Sequence, residues 1–280
     1  MLVLERDGAL FARDGYAISR DGNRALTIRE SDFVFDASGR ASALNLGKRT
    51  LPRRTVGTEE GVTFRVTAIR PIDDLRREAL AASPPVEPAA PRVSDLADLA
   101  ALNPTIKLDI RYASTNNFLG TPMYSSARAF LQRPAAEALV RAHRSLAAEG
   151  FGLLIHDAYR PWYVTKMFWD ATTGANHGFV ADPKSGSRHN RGAAVDLTMY
   201  ALATGNPVRM TGGYDEMTHR SYADYPGGTS LERWRREVLR RAMTAEGFTV
   251  NPTEWWHFDF DGWRDYPILN VPFEKVPGKK

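Results

Sequence analysis

The polar segment SRHNRGAAVD, at residues 187–196, places a histidine and an aspartate seven residues apart around a glycine. His189 stands in a stretch too polar and glycine-bearing for regular structure, whereas Asp196 lies in a run of small and apolar residues typical of a strand. Burying a lone carboxylate in such a strand is costly unless it faces a positive charge or a metal ion. The segment therefore predicts either a polar loop or part of a metal site.

A second candidate ligand, His257, lies in the aromatic segment EWWHF, three residues after Glu254. In a regular strand these two side chains would point to opposite faces, so a bend or bulge near Glu254 is needed if both serve one site. Taken singly, each residue favours an ordinary role. Asp196 would pair with an arginine, His257 would bond to a carbonyl group, and Glu254 would be a surface acid. Together, two histidines and one carboxylate are a common ligand set for catalytic zinc, and Glu254 is left to move a proton.

The chain has no cysteine, which excludes disulfides, thiolate ligands and a cysteine nucleophile. Any zinc must then be bound by histidine, aspartate or glutamate. Among the other histidines, His143, His177 and His219 lie in polar surroundings that favour solvated or locally bonded side chains. His156 ends an apolar run, where a structural and a functional role are equally expected. The helical zinc-protease motif HExxH is absent.

Composition indicates a globular chain of 280 residues, with 43% hydrophobic and 25% charged residues. The net charge of +4 comes without a basic tract that would follow a phosphate backbone, so we expect no nucleic-acid partner. There is no apolar run of about 18 residues, and the first residues soon become charged, so we expect no membrane span and no export signal. A cytoplasmic location follows for the chain as it stands, and a periplasmic or exported one if the chain is truncated. The oligomeric state is not indicated.

The elements that must position these residues can be predicted from periodicity and turn residues. Residues 1–72 consist of short apolar runs separated by Asp-Gly turns, which predict a small β meander or barrel, and GVTFRVTAI is the last of these runs. The sequence SPPVEPAAP, from residue 83, opposes both helix and central strand. We therefore predict a β-rich domain over residues 1–82, of a role that the sequence does not indicate, and a proline-rich linker over 83–95.

Helices and strands alternate irregularly after the linker, which predicts an α+β domain over residues 96–280. Proline at the start and glycine at the end mark the helix over Pro134–Gly150. Further helices are predicted after Pro161 and over Leu231–Gly247, and strands in the segments FGLLIHDAYR, AAVDLTMY and EWWHFDF.

The motifs resemble those of the zinc D-alanyl-D-alanine dipeptidases of the VanX type, within the wider peptidoglycan D,D-peptidase family. SRHNRGAAVD matches their SxHxxGxAxD pattern, and EWWH matches their second element with its Glu-x-x-His spacing. Three further segments are similar to parts of these enzymes: LDIRYASTNNFLG (108–120), DAYRP (157–161) and GGYDEM (212–217). The similarity covers roughly residues 99–272 and leaves out the first 80 or so residues.

The resemblance implies an antiparallel sheet with flanking helices and one zinc ion per chain, bound by His189, Asp196 and His257. Glu254 would be the general base that takes a proton from water and gives it to the leaving amine. Arg160 would stabilise the charge that develops on the carbonyl oxygen. A salt bridge from Arg160 to an acidic residue is its alternative role.

The resemblance also implies how a small D,D-dipeptide would be bound. Asp215 would hold its ammonium group, and Ser187 would contact the substrate or orient the His189 loop. Asp157 and Tyr159 would support substrate binding through the residues that contact the substrate. The expected reaction is hydrolysis of D-alanyl-D-alanine. One alternative is a zinc D,D- or L,D-peptidase of peptidoglycan stem peptides, against which GGYDEM argues. Another is a non-catalytic, zinc-stabilised wall-binding protein, which would have no need of Glu254 and Arg160.

Overall fold

The computed structural model describes residues 2–6, 9–13, 32–37, 39, 41–52 and 63–276. Its helices are α1 (Ile72–Ala81), α2 (Leu99–Leu102), α3 (Arg133–Leu146), α4 (Trp162–Ala171) and α5 (Ser230–Thr244). Its strands are β1 (Leu2–Arg6), β2 (Ala9–Arg13), β3 (Phe33–Phe35), β4 (Ala41–Leu46), β5 (Arg49–Pro52), β6 (Leu96–Asp98), β7 (Lys107–Leu108), β8 (Phe130–Gln132), β9 (Phe151–Asp157), β10 (Ala194–Ala201), β11 (Phe248–Asn251) and β12 (Glu254–Phe260).

The main sheet has the strand order β11-β12-β10-β9-β7. Its pairs are antiparallel except for β7 with β9. Every residue of β9 is buried, as are almost all residues of β10, because helices and loops cover both faces of the sheet centre. Helix α3 packs against β9, and α5 packs against α3 and β11. The predicted α+β fold, with an antiparallel sheet and flanking helices, is confirmed.

Local sequence signals determine where the helices begin and end. Pro134 lies in the first turn of α3, and Gly150 ends the short 3-10 turn that follows this helix, with a φ of 82°. Helix α5 begins with a capping box, in which Thr229 and Glu232 exchange side-chain to backbone hydrogen bonds. Pro161 precedes α4, as predicted. The three predicted helices are therefore confirmed, with ends shifted by a few residues.

The N-terminal region contains small antiparallel sheets, β1 with β2 and β3-β4-β5, which confirms a β-rich segment. The predicted turns at Asp7-Gly8, Asp14-Gly15 and Asp21-Gly22 lie outside the described residues. Residues 63–68, in the run predicted as the last strand, form no strand. The proposed division into residues 1–82, a linker and residues 96–280 stays a prediction.

Residues 63–81 instead bond to the region that carries the predicted site. The Val66 N–H donates to the carbonyl of Phe118, and the Ile69 N–H donates to that of Ala171 at the end of α4. Helix α1, which lies within the segment predicted to be β-rich, packs against α4 and buries Leu75 completely. Backbone donors of this segment are thus satisfied by the α+β region.

Residues 83–90 form neither helix nor strand, as their prolines predict. Among the described helices, none is long and apolar enough to cross a membrane. The expected cytoplasmic location and the expected absence of a nucleic-acid partner stay predictions.

Candidate metal centre and active site

Three neighbouring strands place acidic and histidine side chains side by side. Asp196 on β10 lies opposite His257 on β12 and opposite Asp157 at the end of β9. His189 comes from the 3-10 turn just before β10, which Gly192 closes with a φ of 64°. A side chain at Gly192 would also collide with Leu96, so glycine is needed for both reasons. The sheet register and this turn bring the predicted ligands together.

The three predicted ligands face one another with their donor atoms close together. His189 Nε2 lies 3.1 Å from His257 Nδ1 and 3.3 Å from Asp196 Oδ1. His257 Nδ1 lies 3.0 Å from the same carboxylate oxygen. A tetrahedral zinc ion with bonds of about 2.0–2.1 Å would hold its donors about 3.3–3.4 Å apart. The triangle is only slightly smaller than the one that zinc requires, and all three residues are buried.

The outer nitrogen of each histidine has its own acceptor. His189 Nδ1 lies 2.6 Å from the carbonyl oxygen of Ala158, and His257 Nε2 lies 2.9 Å from Asp259 Oδ1. Protons on these outer nitrogens leave lone pairs on the inner ones, so with Asp196 three acceptor atoms converge on one point. Three converging acceptors need a cation or shared protons between them. The donor set therefore fits a zinc ion.

The charges around His257 also favour a cation. Burial opposes a positive charge on this imidazole, but hydrogen bonds to Asp196 and Asp259 outweigh burial and raise its pKa well above the usual value. Burial likewise opposes ionisation of Asp196, yet His189 and His257 hold the pKa of its carboxyl well below the ordinary range. The ionised carboxylate is thus the stable form beside these histidines.

Glu254 reaches the same point because the strand pairing is irregular. Val250 pairs with Phe258 and the next residue, Asn251, pairs with Glu254, so β12 carries extra residues between the two pairs. This bulge confirms the one that the sequence requires, and it brings Glu254 Oε2 to 3.6 Å from His257 Nδ1. Burial raises the pKa of the Glu254 carboxyl.

Arg160 lines the pocket and also forms the alternative salt bridge. Its Nε and Nη2 atoms lie 2.8 and 2.7 Å from Asp157 Oδ2, and Nη2 lies 3.6 Å from Asp196 Oδ2. The guanidinium is stacked over the rings of Tyr112 and Phe168. Burial raises the pKa of Asp157, although the charge of Arg160 opposes that shift. These contacts fix the direction of the guanidinium towards the predicted metal ligands.

Asp215 projects into the same pocket from the loop after β10. Its backbone is left-handed, with a φ of 55°, a conformation that non-glycine residues rarely adopt. The Tyr112 hydroxyl donates to Asp215 Oδ2 over 2.8 Å. Burial, and then the negative charge of Asp196, raise the pKa of the Asp215 carboxyl well above its usual value. A positively charged ligand group would oppose both causes and stabilise the ionised carboxylate.

Ser187 lines the pocket, whereas Tyr159 lies outside its lining. The Ser187 hydroxyl accepts a hydrogen bond from the His189 N–H over 3.2 Å, and Ser187 lines the pocket. Tyr159 instead directs its hydroxyl at Val271, to whose carbonyl it donates and from whose N–H it accepts. Neither Tyr159 nor Asp157 lines the pocket, so the structure does not bring these two to the place where a substrate would lie.

The pocket has a volume of about 170 Å³. It combines charged groups with apolar side chains, and its lining residues are Tyr112, Phe118, Arg160, Phe168, Gly178, Phe179, Val180, Ala181, Ser187, Arg188, His189, Asp196, Asp215, Met217, Asn251, Glu254, Trp256 and His257. This mixture of apolar walls and a few convergent polar groups is typical of small-molecule sites.

Several residues at the site were not predicted from the sequence, among them three that bond to predicted site residues. Asp259 binds the outer nitrogen of His257, Tyr214 donates to Asp196 Oδ2 over 3.0 Å, and Tyr112 donates to Asp215. Asp259 follows His257 by two residues, so its place on the same face of the strand was a usable signal. Tyr112 lies in the segment LDIRYASTNNFLG and Tyr214 in GGYDEM, but nothing in the sequence indicates which acidic residues they would contact.

Two further histidines are structural. His143 is buried, where Nδ1 accepts from the Leu153 N–H and Nε2 lies 2.8 Å from the Thr105 hydroxyl oxygen. His143 is therefore hydrogen-bonded, but its partners lie 10 and 38 residues away along the chain. His156 lies 3.4 Å from an Asp109 carboxylate oxygen and does not line the pocket.

Comparisons with known proteins identify the family to which the chain belongs. The Peptidase_M15 family, described as D-ala-D-ala dipeptidase, matches residues 92–275. A D-alanyl-D-alanine dipeptidase of Escherichia coli (strain K12) is 36% identical over 180 residues, which are 64% of this chain and 92% of that protein. One from Enterococcus faecium is 34% identical over 190 residues, covering 60% of this chain and 91% of that protein.

Among solved structures, that of the LdcB LD-carboxypeptidase has 17% sequence identity and a TM-score of 0.37, and covers 80% of this chain and all of that chain. The chain belongs to the Peptidase_M15 family, a family of zinc-dependent peptidases. The family resemblance seen in the sequence motifs is confirmed.

Proposed function

We propose that this protein hydrolyses D-alanyl-D-alanine to two D-alanines, using one zinc ion bound by His189, Asp196 and His257. The convergence of three acceptor atoms within 3.0–3.3 Å, beside the Glu254 carboxylate, carries this proposal. Relatives that are 34–36% identical and are named for this dipeptidase activity support the choice of substrate.

A zinc ion in such a site acts as a Lewis acid and makes water a nucleophile at neutral pH. Glu254 accepts the proton of the attacking water and returns it to the leaving amine. Because burial raises the pKa of Glu254, its carboxyl is better matched to both transfers than an exposed glutamate. Its Oε2 lies 3.6 Å from His257 Nδ1, close to the three proposed ligands.

Arg160 stabilises the negative charge that develops on the carbonyl oxygen. Asp157 accepts a hydrogen bond from Nε and forms an ion pair with Nη2 at 2.7 Å, and a guanidinium has five N–H groups in all. The remaining donors are free to face the reacting carbonyl. A cation that is already oriented costs no reorganisation during the reaction. The salt bridge and the catalytic role of Arg160 are therefore compatible.

The substrate is held at its amino end by Asp215, whose carboxylate pairs with the ammonium group. The cavity of about 170 Å³ is below the range of roughly 300–1,000 Å³ typical of drug-sized ligands. Aromatic walls, among them Phe118, Phe168 and Trp256, border it. A small cavity with a carboxylate favours a free dipeptide over a peptidoglycan stem peptide.

Purified protein loaded with zinc should hydrolyse D-alanyl-D-alanine, but not L-alanyl-L-alanine or a stem pentapeptide. Metal analysis should give one zinc per chain, strongly reduced in His189→Ala. His177→Ala is the matched control, because His177 stacks on Trp169 and does not line the pocket. Stoichiometric zinc in His189→Ala would refute the ligand set. Cleavage of the pentapeptide in preference to the dipeptide would favour the stem-peptide alternative.

A further inference from the structure

The two oxygens of Asp196 have different partners. Oδ1 faces the inner nitrogens of His189 and His257, at 3.3 and 3.0 Å. Oδ2 accepts a hydrogen bond from the Tyr214 hydroxyl over 3.0 Å, and Arg160 Nη2 lies farther away, at 3.6 Å. Only the first of these contacts to Oδ2 has the length of a hydrogen bond. Tyr214 therefore bonds the carboxylate oxygen that does not face the two histidines.

The direction of the Tyr214 hydroxyl is fixed by its surroundings. Its ring is 7% exposed and packs against His156, with centroids 4.6 Å apart, and edge-on against Trp256, at 5.7 Å. The loop on which it lies is anchored by Glu216, a buried residue whose carboxylate accepts from the Gly213 N–H over 2.8 Å. A phenol held in this way keeps its hydroxyl on Asp196.

We propose that Tyr214 is a positioning residue that orients Asp196 for zinc binding. This role rests on the proposed function, since it requires the zinc site described above. A carboxylate that binds a metal through one oxygen must be kept from rotating, and Tyr214 does so by engaging the other oxygen. Because the phenol is neutral, it orients the ligand without placing a positive charge beside the metal. Hydrogen-bonding partners of metal ligands typically contribute about 10- to 100-fold to metal affinity.

Tyr214→Phe, made in the full chain, tests this role because it removes the hydroxyl and keeps the ring. The zinc dissociation constant, measured by competition with a chromogenic chelator at fixed pH, should rise about 10- to 100-fold. The matched control is Tyr200→Phe, which removes a hydroxyl that donates to the Thr105 carbonyl over 2.8 Å. Tyr200 lies on β10, the strand that carries Asp196, so the control perturbs the same strand away from the site. Its zinc affinity should equal that of the wild type.

The thermal midpoints of the metal-free proteins should be similar for both variants, since each loses one hydroxyl. Wild-type zinc affinity in Tyr214→Phe would overturn the positioning role, and so would an equal loss in both variants. A metal-free Tyr214→Phe that melts far below Tyr200→Phe would show that the hydroxyl is structural, which also overturns it. If the wild type bound no zinc, the proposed function itself would be refuted. The zinc affinity of the wild type therefore separates this outcome from a failure of the Tyr214 proposal.

Discussion

Replacing Asp215 by asparagine should separate a dipeptidase from an enzyme that trims longer peptides. The substitution removes the carboxylate charge and keeps the shape of the side chain. The amide oxygen can still accept the hydrogen bond from Tyr112, which is 2.8 Å long in the wild type. Alanine would leave that phenol without its partner, which has a cost of its own. Asp215→Asn is therefore the cleaner test, with Asp215→Ala as a second variant.

The size of the effect follows from what the carboxylate would bind. Burial and the charge of Asp196 raise the pKa of Asp215, so an arriving ammonium group stabilises its ionised form. A charge-assisted hydrogen bond contributes about 1.5–3 kcal/mol. Since about 1.4 kcal/mol corresponds to a factor of ten, kcat/KM for D-alanyl-D-alanine should fall about 10- to 150-fold in Asp215→Asn.

The assay compares two substrates on two proteins. N-acetyl-D-alanyl-D-alanine has no ammonium group, so it should be a poor substrate of the wild type. Its kcat/KM should hardly change in Asp215→Asn. The four values of kcat/KM form a double cycle that isolates the ammonium contact from general damage. Zinc content should be the same in both proteins, because Asp215 is not one of the proposed ligands.

Two results would refute this reasoning. If the wild type cleaved the acetylated dipeptide as well as the free one, Asp215 would not select an ammonium group, and a stem-trimming peptidase would describe the protein better. If Asp215→Asn lowered kcat/KM equally for both substrates, its effect would come from the loop and not from charge.

Three further substitutions test the base, the packing and a buried histidine. Glu254→Ala should keep its zinc and lose about 10²- to 10⁴-fold in kcat, because a general base is not a ligand; near-normal D-alanine release would contradict the assignment. Leu75→Ala, in a fully buried position of α1, should lower the free energy of unfolding in urea by about 2–5 kcal/mol, and an unchanged midpoint would mean that α1 does not stabilise the fold. Burial, and then the charge of Arg144, lower the pKa of His143 below its usual 6.5, so the unfolded chain takes up the proton first as the pH falls. The stability that His143 contributes is then present above about pH 6.5 and lost below it. The difference in unfolding free energy between the wild type and His143→Gln should shrink in acid, and a constant difference would count against this account.

Much of the site was predictable because its signals are local. The polar turn around His189, the strand that carries Asp196 and the proline and glycine at the ends of α3 all follow from the conformational preferences of short segments. Even the bulge before His257 was implied, because Glu254 and His257 could share a site only if the strand departed from strict alternation. Such features depend on the residues next to them in the chain.

Tertiary structure alone decided the contacts between residues distant in sequence. Tyr214 meets Asp196, and Tyr112 meets Asp215, because the sheet register and the loops bring together segments up to 103 residues apart. Residues 63–81 lay in a segment predicted to be β-rich, yet they contain α1, which packs against α4 and buries Leu75. The surface of α4 that buries Leu75 comes from a distant part of the chain, so no local sequence pattern indicates it. Tyr159 shows the same limit, because its motif does not indicate that its hydroxyl donates to the Val271 carbonyl. Local sequence determines backbone conformation and residue type, whereas the partner of each buried polar group depends on how the whole chain packs.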